Sequence, residues 1–160
     1  MPFSTLTSAF QLSVRAALAA GLALAIAQAL HLQHPIYALI AAVIVTDLSP
    51  SQTRQLGLRR LVGTVLGAGV GAALSQLSSP TPWAIGFGIL AAMLLSRIFH
   101  LQSAAKIAGY VCGIVMLDHG DHPWSYALYR LIETVLGIGT ALLVSLIPKL
   151  IKTEIPEERE

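Results

Sequence analysis

Charge is what this sequence has least of. Only 11% of its 160 residues are Asp, Glu, Lys or Arg, against the ~25% usual in a soluble domain, so the composition is too poor in charge for one. Cysteine occurs once, as Cys112 inside an apolar run, which excludes a disulfide framework or a cysteine zinc site within one chain. No Gly-rich phosphate loop, serine-triad motif or HExxH is present, and no enzymatic activity or cofactor is expected. The segment "LDHGDHPW" gathers Asp118, His119, Asp121 and His122, but its spacing matches no ligand set of defined geometry, so no metal is expected. A polar turn before a helix has the same composition.

What the chain has instead is apolar sequence along nearly its whole length, at 12–30, 35–47, 58–77, 83–95, 103–117 and 131–147. Its mean hydropathy is +0.72. Six spans of roughly 20 residues need about 120 residues, which this length accommodates. Ala27-Gln28-Ala29 resembles a signal cleavage site, but no basic residue precedes Arg15, so the first run reads as a membrane helix. The expected organisation is an N-terminal segment 1–11, a first unit 12–77, a second unit 83–147 and a polar tail 148–160.

The two units repeat each other. "RLVGTVLGAG" at 60–69 returns as "RLIETVLGIG" at 130–139, with seven of ten positions identical. His31-Leu32-Gln33 closes the first run and His100-Leu101-Gln102 the fourth, while Asp47 ends the second and Asp118 the fifth. The offsets are 69, 71 and 70, so each unit is one helix triplet. Three crossings are an odd number, and the second triplet must enter the membrane from the opposite side, as in inverted-repeat transporters. The expected fold is therefore an all-α integral membrane protein of six transmembrane helices in two inverted three-helix repeats.

Six crossings put Arg15, Arg54, Arg59, Arg60, Arg97, Lys106, Lys149, Lys152 and Arg159 on one side and Arg130 alone on the other. The basic side is cytoplasmic, so both termini are expected there, with the chain in the plasma (inner) membrane. The second and fifth runs are short for a 30 Å hydrocarbon core. Short segments at matching positions of two halves point to a transport site; the other reading is that they borrow flanking interfacial residues.

Arg60 and Arg130 each lead a glycine-bearing helix, which places them at opposite mouths of a pathway. A lone arginine near the membrane edge is ordinarily a snorkelling anchor. Here the repeat keeps both while Val62/Ile132 and Gly63/Glu133 differ, and a guanidinium fork suits carboxylate or phosphate. Lys106 either snorkels to the cytoplasm or faces the pathway beside Arg60. Glu133 reads first as a local ion pair with Arg130 and second as a carboxylate coupling proton movement to transport. Gly63, Gly67 and Gly71, with Gly137 in the sixth helix, form a stripe for close helix packing. Its partner is either the sixth helix or a second subunit.

The stretch "RAALAAGLALAIAQALHLQHPIYALIAAVIVTD" followed by "RRLVGTVLGAGVGAAL" resembles the membrane domain of the fusaric acid resistance and aromatic acid exporter family. The likeness covers residues 15 to 147, and R-x-x-GT-x-x-G is its most specific element. Plant aluminium-activated malate transporters look like distant relatives. The resemblance implies export or conduction of organic (aromatic or carboxylate) anions, with Arg60 on the motif arginine and Arg130 matched through the internal repeat. Those proteins carry a long cytoplasmic domain and a second six-helix unit, which this chain is expected to lack. It is therefore expected to assemble as a homodimer among membrane lipids, with no nucleic-acid partner. The competing reading is a non-transporting membrane subunit packed against a larger complex.

Overall fold

The computed structural model describes residues 3–77, 79–118 and 122–147, with side chains from Leu6 onward. Among them are six α-helices and no strand: α1 (Phe3–Ala29), α2 (Ile36–Val45), α3 (Pro50–Leu77), α4 (Pro82–Ile98), α5 (Ala105–Asp118) and α6 (Pro123–Ser145), with a 3₁₀ turn at Gln102–Ala104. Proline opens α3, α4 and α6, where its missing N–H costs nothing and its fixed φ suits the first helical turn. Thr81 caps α4 through its hydroxyl, which accepts from Ala84 N at 3.2 Å. Three helices, α1, α3 and α6, are long and apolar enough to cross a bilayer. At 1.5 Å per residue they reach about 40, 42 and 35 Å, against about 15 Å for α2 and 21 Å for α5.

The helices are inside-out relative to a soluble bundle. Leu22, Val65, Phe87, Leu94, Leu128 and Leu143 face outward, while the interior is lined by small residues. Ala19, Ala23 and Ala27 of α1 meet Ala38, Ala42 and Val45 of α2 with Ala141 and Val144 of α6. Ala92 of α4 meets Ala108, Cys112 and Met116 of α5, with Leu66 and Val70 of α3 against them. Small residues let the helix backbones approach closely, and van der Waals packing along those faces holds the helices together. Two packing units result, α1–α2–α6 and α4–α5–α3, joined by a third cluster in which Ala68 and Ala72 of α3 meet Val111 and Val115 of α5 and Tyr126 and Ala127 of α6. Each takes two helices from one half and the third from the other.

The glycine stripe makes that exchange possible. A Cβ on Gly63 would stand 2.6 Å from Ile107 Cβ, and one on Gly71 would stand 2.9 Å from Cys112 O. One on Gly67 would run into the carbonyl oxygen of Ala108. Gly137 is pressed in the same way against Ala38 and Ala41 of α2. The stripe's partner is thus α5 of the same chain, neither α6 nor a free surface.

Both His31 and His100 adopt positive φ, 51° and 58°. Each is the left-handed residue of a helix C-cap: Leu32 N donates to Ala27 O at 3.0 Å and Leu101 N to Ser96 O at 2.8 Å. This is the six-to-one bond of a Schellman motif. The recurring His-Leu-Gln tripeptide is the signature of this turn.

Helix starts differ from the apolar runs. The first helix begins at Phe3 rather than residue 12, the third at Pro50 rather than 58, and the sixth at Pro123 rather than 131. Hydropathy falls away at polar first turns, whereas backbone hydrogen bonding continues through them. Arg15 lies twelve residues beyond the start of α1 and is 1% exposed. Its Nη1 donates to Leu48 O at 2.5 Å and Asp47 O at 3.4 Å, serving carbonyls just beyond the end of α2. The tail 148–160 lies outside the described residues.

Candidate anion site at the centre of the bundle

The longer helices relocate the two arginines. Arg60 stands ten residues beyond the start of α3 and Arg130 seven beyond the start of α6. Gly57 abuts Ile138 and Ala68 clusters with Ala127, so the two helices run antiparallel. In that register the arginine Cα atoms are about 8 Å apart along the axis. They belong to the middle of the bundle, not to its opposite mouths. Each is 3% exposed, and neither snorkels to an interface.

A tyrosine from the other half's short helix meets each guanidinium. Arg60 Nη1 donates to the Tyr110 hydroxyl of α5 at 2.8 Å. Arg130 Cζ lies 3.2 Å from the ring centroid of Tyr37 on α2, within cation–π range. Tyr110 interacts electrostatically with both arginines. Arg130 Nε and Nη1 and Arg60 Nε are buried without a hydrogen-bond partner.

Around Arg130 a polar network extends to the exposed end of α5. The Tyr37 and Tyr126 hydroxyls are 3.2 Å apart, and Tyr126 donates to Asp118 Oδ2 at 2.9 Å. His34 Nε2 is 3.9 Å from the same oxygen, and its ring meets Tyr126 edge-on. Glu133, fully buried, accepts the backbone N–H of His34 on Oε1 at 2.9 Å, while its Oε2 has no partner.

Arg130 and Glu133 interact electrostatically, without the hydrogen-bonded ion pair expected between them. Tyr37 takes the face of the guanidinium and the His34 amide takes one carboxylate oxygen. Lys106 is exposed, one turn before Tyr110 on α5. His119 and Asp121 lie outside the described residues; among those described, no group of three His, Cys, Asp or Glu is placed to hold a metal ion.

His34, Tyr37, Tyr110 and Tyr126 escaped the sequence reading as site residues. A usable signal was present: each short apolar segment holds one aromatic residue, Tyr37 in "IYALIAAVIV" and Tyr110 in "AKIAGYVCGIVMLD".

Large apolar side chains on the exterior and three helices long and apolar enough to cross a bilayer suit a membrane protein. Residues 22–144 match the family described as fusaric acid resistance protein-like, and the chain belongs to that family. This is a membrane-transport family. No curated protein and no solved structure matches the chain, and the more distant likeness to plant malate transporters finds no support there.

Proposed function

We propose that this chain exports or conducts organic anions across the plasma membrane, through a pathway passing Arg130 and Arg60. The observation that carries the reading is the Arg130 guanidinium, buried with Nε and Nη1 unpartnered. A buried charge without partners is costly, and a carboxylate can accept from either unpartnered N–H, paired with Nη2 on the same edge of the guanidinium. Tyr37 beneath it offers an aromatic face to a planar acid.

The pathway reading takes the six helices as two inverted triplets with both termini in the cytoplasm. A homodimer completes the enclosure of a pathway that so few helices cannot surround alone. Because α5 covers Gly63, Gly67 and Gly71, the dimer contact lies elsewhere, and native mass spectrometry of the detergent-purified chain tests for it.

Anion flux in proteoliposomes containing only this protein tests the function. Arg60→Ala and Arg130→Ala should each reduce flux, and the lysine variants should recover it partly, since lysine keeps the charge without the fork. If both alanine variants fold and transport like the parent, the arginines are structural and the reading fails.

A further inference from the structure

The two repeats differ at one chemically decisive position. Glu133 follows Arg130 by three residues, whereas Gly63 follows Arg60 by three. At Gly63 the close approach of Ile107 and Ala104 O leaves no room for a side chain. At Glu133 the neighbour is the connection before α2, which leaves space and supplies the His34 amide. The structure therefore holds one arginine with a carboxylate on the next turn of its helix and one without.

Residues at this spacing have Cβ atoms about 5–6 Å apart, yet Arg130 and Glu133 each keep unpartnered buried atoms: Nε and Nη1 on one side, Oε2 on the other. With Glu133 ionised the pair is neutral, and an incoming anion brings an uncompensated negative charge into a poorly screened interior. With Glu133 protonated, Arg130 and the anion form the neutral set instead.

We propose that anion binding at Arg130 takes up one proton onto Glu133, and that anion contact at Arg60 carries no such linkage. This deepens the reading above and rests on Arg130 as an anion contact. The proton comes from solvent through the exposed end of the network, where the Asp118 and His34 side chains are 59% and 32% exposed. It adds to a Glu133 carboxylate oxygen, and no other bond is made or broken.

The groups facing this pair are Tyr37 from α2, Tyr110 from α5, Tyr126 on α6 itself and His34 with Asp118 at the exposed end. Arg60, which shares Tyr110 with Arg130, is the other cation at the site. His34 is the one imidazole among the facing groups, so it is the control.

The test is calorimetric titration of the detergent-purified chain with benzenesulfonate, whose charge is constant from about pH 5.5 to 8.5, in buffers of different ionisation enthalpy. Affinity should fall with rising pH by up to about tenfold per unit, the limit for one proton taken up per anion. Glu133→Gln should bind with no pH dependence and no proton uptake. Glu133→Gly, the residue of the other repeat, serves if the glutamine variant does not fold. His34→Asn should keep the pH dependence, because its backbone amide still serves Glu133. A pH dependence that survives in the Glu133 variants, or vanishes in His34→Asn, overturns the linkage. Binding weakened by Arg130→Ala in a protein whose parent shows no pH dependence also overturns the linkage alone. Binding absent from the parent, or unchanged in Arg130→Ala, removes the anion site beneath it.

Discussion

Alanine at Gly67 should destabilise the protein, while alanine at Gly69, two residues along the same helix, should not. A Cβ at position 67 would sit 2.9 Å from both Ala108 Cα and Val111 Cβ, and closer still to the Ala108 carbonyl oxygen. Backbone cannot rotate aside as a side-chain tip can, so α3 and α5 must separate. Overpacking of this kind costs about 1–3 kcal/mol, offset by up to about 1 kcal/mol because alanine is the better helix former. A net loss of up to about 2 kcal/mol lowers the melting temperature by up to roughly 8 °C on the scaling for a chain of this size. At Gly69 nothing lies within 4 Å of the added carbon, so only the favourable helix term of up to about 1 kcal/mol remains. The buried Cys112 is a ready reporter, because a thiol-reactive fluorogenic dye labels it only as the bundle opens. Melting curves of both variants in detergent decide the matter. A Gly67→Ala protein as stable as Gly69→Ala would refute the close α3–α5 contact.

Arg15→Ala should lose about 2–3 kcal/mol through its hydrogen bonds to the carbonyls of Asp47 and Leu48, with Arg15→Lys intermediate, read by the same melting assay. His31→Gly and His100→Gly should each stabilise by about 1 kcal/mol through relief of a left-handed backbone, and the double variant should add the two shifts. A valine at either position should lower the melting temperature instead. Single cysteines at His122 and Arg97, in a Cys112→Ser background, should react with an impermeant thiol reagent from opposite sides of the membrane; labelling from the same side would overturn the six-crossing topology.

Much of this was legible because helices in lipid advertise themselves in short-range pattern. Apolar runs located all six helices, and the paired His-Leu-Gln and R-L-x-x-T-V-L-G stretches marked equivalent positions. Glycine spacing identified the buried face of α3. Its partner was not legible, since contact between Gly67 and Ala108 is a tertiary fact that spacing cannot encode. The ends of α3 and α6 were missed because polar first turns interrupt hydropathy but not hydrogen bonding. That error displaced Arg60 and Arg130 toward the membrane edges. The Tyr37–Tyr126 and His34–Glu133 contacts join residues 89 and 99 apart in sequence, beyond the reach of any local motif. Glu133 stands out in the sequence only against the glycine at the matching position of the other repeat.

The exchange of third helices between the two packing units bears on how the chain is made. On the six-crossing reading, with only α1 to α3 in the membrane the ridge of Gly63, Gly67 and Gly71 would face lipid, because the backbone that covers it, from Ala104 to Cys112, comes later in the chain. The faces of α1 and α2 would wait longer still, until α6 brings Gly137 against Ala38 and Ala41. Neither half of the chain holds a finished interior by itself. The bundle would close as a clasp only when the last helix meets the first three.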